Sequence, residues 1–418
     1  GRLIFVKISI MIRLILFIAI VIAFDIYAYQ AFRFLVKGRL GTILYFLITA
    51  LVIGGLFWQF STGDRRQWSA ATQFFIVTFI MMMVCKLVLI AIMFGEDIFR
   101  LVEGFYYKLS GKNTSYALPS RRKFVSQIAL GLAAIPFASI LYGVVKGRYN
   151  FKVLKYTLHF EDLPDAFDGY RITQISDIHS GSFDNKEKVS YAVDLINEQA
   201  SDAILFTGDM VNNEAKEMEP YMDVFDKLSA KDGKFSVLGN HDYGDYVPWE
   251  TEALKEANLD RLKEIQKEIG FDLILNDSRF LEKDGQRIAL VGVENWGAGG
   301  FKKAGDLNKA IENIASEDFK ILLSHDPSHW DNEVVSHKDH FHLTLSGHTH
   351  GMQFGIEIPG WIKWSPVKWR YKHWAGIYEE KGQYINVNRG FGYLAFPGRV
   401  GIWPEITVIE LKKGSATA

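Results

Sequence analysis

Five short segments of the chain each end an apolar run at side chains that can bind a metal cation. Asp, Asn and His form a mixed oxygen and nitrogen ligand set, which suits Mn, Fe or Zn better than a structural zinc site built from thiolates. The set is larger than one ion needs, so we expect two divalent ions that share a bridging carboxylate. The candidate metal ligands are Asp177, His179, Asp209, Asn240, His325, His348 and His350.

His241 lies between Asn240 and Asp242, inside one of these segments. Two neighbouring metal ions can generate a hydroxide and neutralise the charge of a phosphoryl group, which a poor electrophile such as a phosphodiester requires. His241 would then stabilise the transition-state oxygens or protonate the departing alkoxide, with its ring oriented by Asp242 or by a backbone carbonyl. We therefore take His241 as the candidate catalytic residue.

The five segments resemble the motifs of the calcineurin-like metallophosphoesterase superfamily, D-x-H, G-D, G-N-H-[DE], H and G-H-x-H, in the same order and without a gap. The resemblance implies a metal-dependent phosphoester hydrolase in which His241 faces the phosphate and binds no metal. The ligands that it implies are Asp177, His179 and His350 for one ion and Asn240, His325 and His348 for the other, with Asp209 bridging both.

The carboxyl-terminal part resembles one branch of that superfamily, the membrane-anchored phosphodiesterases. This branch includes bacterial enzymes exported by the twin-arginine route and relatives with transmembrane helices. The matching segments are 346–353, 388–392 and 397–406, and the resemblance covers residues 165–411. Because the branch more often has Gly where this chain has Met352, we expect the Met352 side chain to narrow the pocket.

The first third of the chain is much more apolar than the rest. Four of its segments are apolar enough, and long enough at about 1.5 Å per residue, to cross a bilayer core of roughly 30 Å. The last contains Pro136 and many small residues, which packed membrane helices tolerate. We predict transmembrane helices at 9–36, 41–60, 72–95 and 124–145.

Lys86 falls near the middle of the third predicted span. A charge at that depth costs several kcal/mol by most scales, so we expect a partner, and Asp25 in the first span is the candidate. The alternative is that the spans are shifted and that both side chains reach an interface.

Basic residues between the spans predict the orientation of the chain. They concentrate after the first and third spans, and the positive-inside rule places those loops in the cytoplasm, although basic residues at 146–155 oppose this. Residues 120–125 resemble a twin-arginine export signal, with a basic helix anchor as the alternative. We expect a catalytic domain on the periplasmic side of a bacterial inner membrane. The basic loop residues are Arg33, Lys37, Arg39, Arg100, Lys108, Lys112, Arg121, Arg122 and Lys123.

From residue 171 onward, strand and helix patterns alternate and the candidate ligands follow strands, as in α/β proteins. Helices are predicted at 185–199, 218–230 and 250–269, and the turn 283–286 predicts a hairpin. We expect a transmembrane region at 1–145, a linker and first strand at 146–170, and an α/β catalytic domain at 171–418. The resemblance implies a two-sheet sandwich flanked by helices.

Residues 354–378 combine Trp with Lys and Arg. This composition is typical of a segment at a bilayer interface near anionic headgroups, and a hydrophobic lid packed on the sheet is the alternative. Stacking on single-stranded nucleic acid uses similar side chains, but the net charge of −1 argues against a nucleic-acid partner. The candidates for substrate or membrane contact are Trp361, Trp364 and Trp369.

These features together predict a membrane-anchored phosphoesterase with two metal ions. We expect its substrate to be a phosphodiester or pyrophosphate of a lipid or lipid-linked molecule, because a hydrophilic substrate would not require four spans. One alternative is a UDP-2,3-diacylglucosamine pyrophosphatase of lipid A synthesis, with the catalytic domain in the cytoplasm. A non-catalytic metal-binding scaffold is disfavoured, because every ligand and His241 are present.

Overall fold

The computed structural model describes residues 2–33, 38–63, 66, 68–111 and 119–415. The chain divides into two compact units, Gly1–Tyr142 and Gly143–Ala418.

Long helices form the amino-terminal part of the chain, and each contains a segment apolar and long enough to cross a membrane. Large apolar side chains such as Ile15, Leu51 and Leu101 are exposed, because the helices are apolar on all faces and bury few of them against one another. The four predicted spans are confirmed. The helices are α1 (Arg2–Phe32), α2 (Arg39–Thr62), α3 (Ala70–Leu109) and α4 (Pro119–Val145).

The first and third helices differ from their predicted bounds. α1 ends at Phe32, and residues 34–36, with Lys37 and Lys112 of the predicted basic loops, lie outside the described residues. α3 continues well past residue 95. Acidic residues begin at Glu96, and Glu96 and Asp97 lie within 3.8 Å and 2.6 Å of Arg122, so that their charges are paired where the helix continues.

Lys86 and Asp25 form the predicted ion pair between α3 and α1. Both are buried, with 3% and 5% of their surface exposed. The Thr49 hydroxyl of α2 lies 2.9 Å from Lys86 Nζ and 3.1 Å from Asp25 Oδ1. The pair therefore connects three helices, and the alternative in which both side chains reach an interface is wrong.

Arg121 and Arg122 of the predicted export signal lie in the first turn of α4. Arg121 Nη1 is 3.4 Å from Glu103, and Arg122 Nη1 is 2.6 Å from Asp97, both on α3. Arg122 also donates to Gln30 of α1. These ion pairs give the two arginines a structural role in the helical unit, and both the export signal and the basic anchor stay predictions.

The carboxyl-terminal unit contains two mixed sheets and the helices that cover them. The longer helices are α5 (Lys186–Asn197) and α7 (Glu252–Glu268), and short ones are α6 (Met222–Phe225), α8 (Leu307–Ala310) and α9 (Ser328–Asn332). The strands are β1 (Lys152–Phe160), β2 (Arg171–Ile175), β3 (Ala203–Phe206), β4 (Lys234–Ser236), β5 (Phe271–Leu273), β6 (Asp277–Lys283), β7 (Gln286–Gly292), β8 (Lys320–Leu323), β9 (Leu343–Ser346), β10 (Ile356–Ile358), β11 (Ile362–Trp364), β12 (Gly376–Glu380), β13 (Gln383–Val387) and β14 (Glu405–Lys413).

The two sheets have the orders β1-β14-β2-β3-β4-β5 and β12-β13-β9-β8-β7-β6. Strands β2 to β5 are parallel, as are β7, β8, β9 and β13. Buried side chains of both sheets, among them Ile172, Leu205, Leu323 and Leu345, pack in one cluster between them. Second clusters lie on the outer faces, against α5 and α7 and against α9. This is the expected two-sheet sandwich flanked by helices.

Most of the predicted local elements are confirmed. α5 and α7 occupy two of the predicted helical regions, and β6 and β7 pair as an antiparallel hairpin around the predicted turn. The region 218–230 contains only the short helix α6 after a 3₁₀ turn, Glu219–Tyr221. Pro220 lies in that turn, where a missing N–H is tolerated, and the helix ends at Phe225.

Candidate metal centre

Every predicted metal ligand follows the carboxyl end of a parallel strand. Three of these strands belong to the first sheet and two to the second, so the site lies along one edge shared by both sheets, where α/β proteins gather their functional residues. Asp177 and His179 follow β2, Asp209 follows β3, Asn240 follows β4, His325 follows β8, and His348 and His350 follow β9.

The structure brings these side chains into two adjacent groups. In each group the potential ligand atoms lie within 4.8 Å of one another. One carboxylate oxygen, Asp209 Oδ2, is 3.1 Å from His325 Nε2 in its own group and 3.6 Å from His179 Nε2 in the other. This oxygen therefore lies between the two groups, as the predicted bridging role of Asp209 requires. The groups are Asp177, His179 and His350, and Asp209, His325 and His348; Asn240 Oδ1 lies 2.8 Å from His348 Nδ1 and joins the second.

The unsatisfied nitrogen atoms of the site fit divalent cations. His179, His325 and His350 each have a buried Nε2 with no hydrogen-bond partner among the described residues. A buried polar atom without a partner costs about 1–3 kcal/mol, and these three face buried carboxylates of Asp177 and Asp209. Nitrogen and oxygen donors at such spacing suit a first-row divalent metal.

Hydrogen bonds from the other ring nitrogen orient two of the histidines. His325 Nδ1–H donates to the Thr207 carbonyl at 2.7 Å, which leaves Nε2 free for a cation. His348 has the opposite arrangement, since its Nε2–H donates to the Tyr371 hydroxyl at 2.8 Å and its Nδ1 points towards Asn240. Such outer contacts fix the tautomer and the ring orientation of a metal ligand.

Asp242 connects the loops that follow β3 and β4. Its Oδ2 accepts hydrogen bonds from the backbone N–H groups of Asp209 and Gly239, both at 2.9 Å. Its Oδ1 accepts from Met210 N–H at 2.7 Å and from Val211 N–H at 3.4 Å. The carboxylate therefore holds the backbone of the candidate bridging ligand in place.

The His241 ring is oriented by a backbone carbonyl, one of the two alternatives left open by the sequence. Its Nδ1–H donates to the Asn212 carbonyl at 2.8 Å, while its backbone N–H donates to Asp209 Oδ1 at 2.8 Å. Its ring centroid is 4.9 Å from that of His179. Burial lowers the pKa of His241. The hydrogen bond to the Asn212 carbonyl thus fixes the orientation of the ring.

The pKa values in this cluster shift in both directions. Burial lowers the pKa of His325, but the negative charge of Asp209 outweighs burial and raises it to about 10. Burial lowers the pKa of His348 to about 4. Strong shifts of opposite sign among neighbouring groups are typical of functional sites.

Several candidate ligands have a left-handed backbone conformation, which costs a non-glycine residue about 1–2 kcal/mol. Such strain is typical of sites where the fold must aim side chains at one point. The φ angles are 52° for Asp177, 48° for His179, 60° for Asp209, 72° for His348 and 50° for His350.

The tryptophans of residues 354–378 fall into two classes. Trp361, after β10, and Trp369 are 80% and 76% exposed, whereas Trp364 is half-buried. Trp374 is buried in a small cluster with Tyr371 and other apolar residues. One side of the segment therefore packs on the domain and the other faces outward, and contact with a bilayer stays a prediction.

The Met352 side chain is 57% exposed, and its φ of 55° is in the left-handed region. A Gly would adopt that conformation at lower cost, so the backbone by itself favours Gly at this position. The effect of the Met352 side chain on the width of the pocket stays a prediction.

Sequence reasoning missed three side chains that contact the site. Tyr371 accepts from His348, Tyr246 accepts from Asn240 Nδ2 at 2.7 Å, and Arg399 Nη2 lies 3.2 Å from His350 Nδ1. Arg399 lies in one of the segments that carry the family resemblance, which was the available signal. The other two side chains, Tyr246 and Tyr371, lie outside the metal motifs.

Comparison with known proteins identifies both parts of the chain. Residues 170–352 match the family model of calcineurin-like phosphoesterases, and residues 9–148 match a model described as a probable calcineurin-like phosphoesterase transmembrane domain.

Three relatives illustrate the range of similar proteins. The chain is 30% identical over 299 residues to the uncharacterized metallophosphoesterase YkuE of Bacillus subtilis, covering 70% of this chain and 98% of YkuE. It is 27% identical over 295 residues to the phosphodiesterase YaeI of Escherichia coli, covering 70% and 99%. It is 26% identical over 281 residues to a zebrafish (Danio rerio) transmembrane protein with metallophosphoesterase domain, covering 65% of this chain and 60% of that protein.

The motifs, the two-sheet sandwich with its ligand groups, the long apolar helices and these similarities lead to one conclusion. The chain is a membrane-associated, metal-dependent phosphoester hydrolase and belongs to the calcineurin-like metallophosphoesterase family.

Proposed function

We propose that this chain hydrolyses a phosphodiester or pyrophosphate of a lipid or lipid-linked molecule at a centre of two divalent ions, Mn, Fe or Zn. The observation that carries the proposal is the pair of ligand groups that meet at Asp209 Oδ2. Two ions bound there would supply an activated water and neutralise charge on the phosphoryl oxygens.

The residues of the chain have distinct roles in this proposal. Asp177, His179 and His350 would hold one ion, Asn240, His325 and His348 would hold the other, and Asp209 would be shared by both. His241, with Nδ1–H bonded to the Asn212 carbonyl, directs Nε2 towards the phosphoryl group and stabilises its oxygens or protonates the leaving alkoxide.

The lipid substrate is supported by an exposed apolar hairpin. β10 and β11 pair as an antiparallel hairpin, with Trp361 in its loop. Ile356 is 50% exposed, Ile358 43% and Trp361 80%, and Met352 before the hairpin is 57% exposed. Exposed aromatic and aliphatic side chains next to basic residues are suited to a bilayer interface. We propose that this hairpin contacts the membrane that carries the substrate.

We further propose that the catalytic domain lies on the periplasmic side of a bacterial inner membrane. Arg33 and Arg39 flank the loop after α1, and Lys108 and Lys123 flank the loop after α3. The positive-inside rule assigns both loops to the cytoplasm. A reporter fused after residue 418 that is active only in the cytoplasm would exclude this orientation.

The proposed chemistry can be tested with the purified full-length protein in detergent. Supplied with Mn²⁺, it should hydrolyse phosphodiesters, and it should bind two ions per chain by elemental analysis. Asp209→Ala should lose both properties, because it removes the shared ligand. Asp260→Ala is the matched control, since Asp260 is an exposed residue of α7. One ion per wild-type chain at saturation would exclude the dinuclear centre.

The proposed membrane contact has its own test. Trp361→Ser combined with Trp369→Ser should raise the apparent KM for a lipid phosphodiester presented in vesicles more than the KM for a small soluble diester, because only the first requires interfacial binding. Trp58→Ser, in the membrane helix α2, is the control. An equal loss on both substrates would instead indicate a structural role.

A further inference from the structure

A groove with a basic rim and an aromatic floor is formed by the segment that follows the apolar hairpin. It has a volume of about 680 Å³, four of its seven lining residues are basic, and none is acidic. We call it the cationic groove. Its lining residues are Lys363, Lys368, Trp369, Arg370, Lys372, Trp374 and Tyr378.

The positive charge of the cationic groove is only partly neutralised. Lys372 pairs with Glu380 at 3.1 Å, and Lys363 donates to the Ala375 carbonyl and lies over aromatic rings. Lys368 and Arg370 have no carboxylate partner in the part of the chain that the structure describes. Two uncompensated cations on one wall favour binding of an anion.

Arg370 connects the cationic groove to the metal centre. Its Nε–H donates to the Tyr371 hydroxyl at 3.2 Å, and that hydroxyl accepts from the candidate ligand His348. Its guanidinium also lies 5.3 Å from the centroid of Phe301, whose ring meets the His348 ring edge-on at 4.8 Å. Only one side chain therefore separates Arg370 from a metal ligand.

The cationic groove is also held rigidly to the loop that carries His348 and His350. The Thr349 hydroxyl donates to the Trp374 carbonyl at 2.7 Å, and the Ser365 hydroxyl donates to the Gly351 carbonyl at 2.8 Å. Both hydrogen bonds are buried. The backbone of the segment that carries the basic groups is thus tied to the loop of the metal centre, which favours a subsite for one part of a substrate.

We propose that the cationic groove binds a second anionic group of the substrate, and that Arg370 and Lys368 determine specificity for it. This inference rests on the proposed function, because it assumes that the first phosphoester is bound at the metal centre. The guanidinium fork matches a phosphate or carboxylate, and the aromatic floor accommodates the apolar part beside it. The substrate class is therefore an amphiphilic phosphodiester with a further phosphate or carboxylate.

The test compares soluble p-nitrophenyl phosphodiesters of simple alcohols. In each pair the second alcohol, with a two-, four- or six-carbon chain, either ends in a methyl group or carries a terminal phosphate, so that the leaving group is the same. The wild-type protein is assayed in neutral detergent with Mn²⁺. Its kcat/KM should be at least about tenfold higher for the phosphorylated member at the chain length that spans the distance from the metal centre to the cationic groove.

Arg370→Gln and Lys368→Gln should each lower the ratio of the two kcat/KM values about tenfold, because a charge-assisted hydrogen bond is lost. Lys338→Gln is the matched control and should leave the ratio unchanged, because Lys338 is an exposed residue before β9, at the end of the strand opposite the metal centre. The ratio is independent of the fraction of active enzyme.

The outcomes separate the inference from the proposed function. Absence of turnover on both substrates by the wild type would overturn the proposed function. Turnover with no preference for the phosphorylated substrates, or with a preference that Arg370→Gln leaves intact, would overturn only the inference. If Arg370→Gln alters rates only in micelles that contain phosphatidylglycerol, the cationic groove binds neighbouring lipid headgroups, and the inference is likewise overturned.

Discussion

Replacement of Asp242 by Asn should lower both the stability of the catalytic unit and its metal affinity, although it removes no candidate metal ligand. In the wild type both carboxylate oxygens accept backbone N–H groups, Oδ2 from Asp209 and Gly239 and Oδ1 from Met210 and Val211. An Asn side chain must place an NH₂ group against one of these pairs. Up to two buried N–H groups then lose their acceptor and face another donor.

The magnitude follows from these contacts. Each buried donor without an acceptor costs about 1–3 kcal/mol, so Asp242→Asn should destabilise the catalytic unit by about 2–6 kcal/mol. One pair contains the N–H of Asp209 and the other contains that of its neighbour Met210, so the candidate bridging ligand should shift in either orientation of the Asn side chain. Loss of an outer contact of this kind typically lowers metal affinity by about 10–100-fold.

Two measurements test this prediction on the full-length protein in detergent. Thermal unfolding should show a lower midpoint for Asp242→Asn, and competition with a chelator should show weaker Mn²⁺ binding. Asp260→Asn is the control, because the Asp260 side chain is 71% exposed and pairs with Lys263 on its own helix. If Asp242→Asn retains both the wild-type midpoint and the wild-type metal affinity, the Asp242 carboxylate does not position Asp209, and the prediction is refuted.

Three further predictions concern other parts of the chain. His241→Ala should keep both metal ions, by elemental analysis, and lose roughly 10²–10⁴-fold in kcat, because only a positioned acid–base group is removed; full activity on an alkyl diester would contradict this role. Burial lowers the pKa of His342 to about 4, so the folded state binds this proton less readily than the unfolded state, and stability should fall by up to about 3 kcal/mol as the pH drops from 6.5 to 4; thermal unfolding of His342→Asn should lack this component, and an identical pH profile in both proteins would exclude it. Lys86→Met should destabilise the membrane helices by about 3–5 kcal/mol, because it leaves the carboxylate of Asp25 buried without its cation; the double variant with Asp25→Leu should recover most of the loss in detergent melts, and additive losses would show that the two side chains are not coupled.

The sequence alone was sufficient to predict which side chains form the two candidate ligand groups and where the long apolar helices lie. Asp, Asn and His at the ends of apolar strands indicate metal binding by side-chain chemistry, and the parallel order of the strands brings their carboxyl ends to one edge. Long, wholly apolar segments indicate spans by composition. The pairing of Lys86 with Asp25 was predictable for a related reason, since a charge in an apolar environment needs a partner.

Only the tertiary structure decided how those side chains are held. The left-handed backbone of Asp209, the carboxylate of Asp242 beneath two loops, and the hydrogen bond from His348 to Tyr371 depend on contacts between segments far apart in the chain. The exposure of Trp361 and the burial of Trp374 likewise differ because of packing, although the two residues lie in one segment of similar composition. Local residue types determine which groups are able to bind or to be buried, whereas long-range packing determines which of them do so.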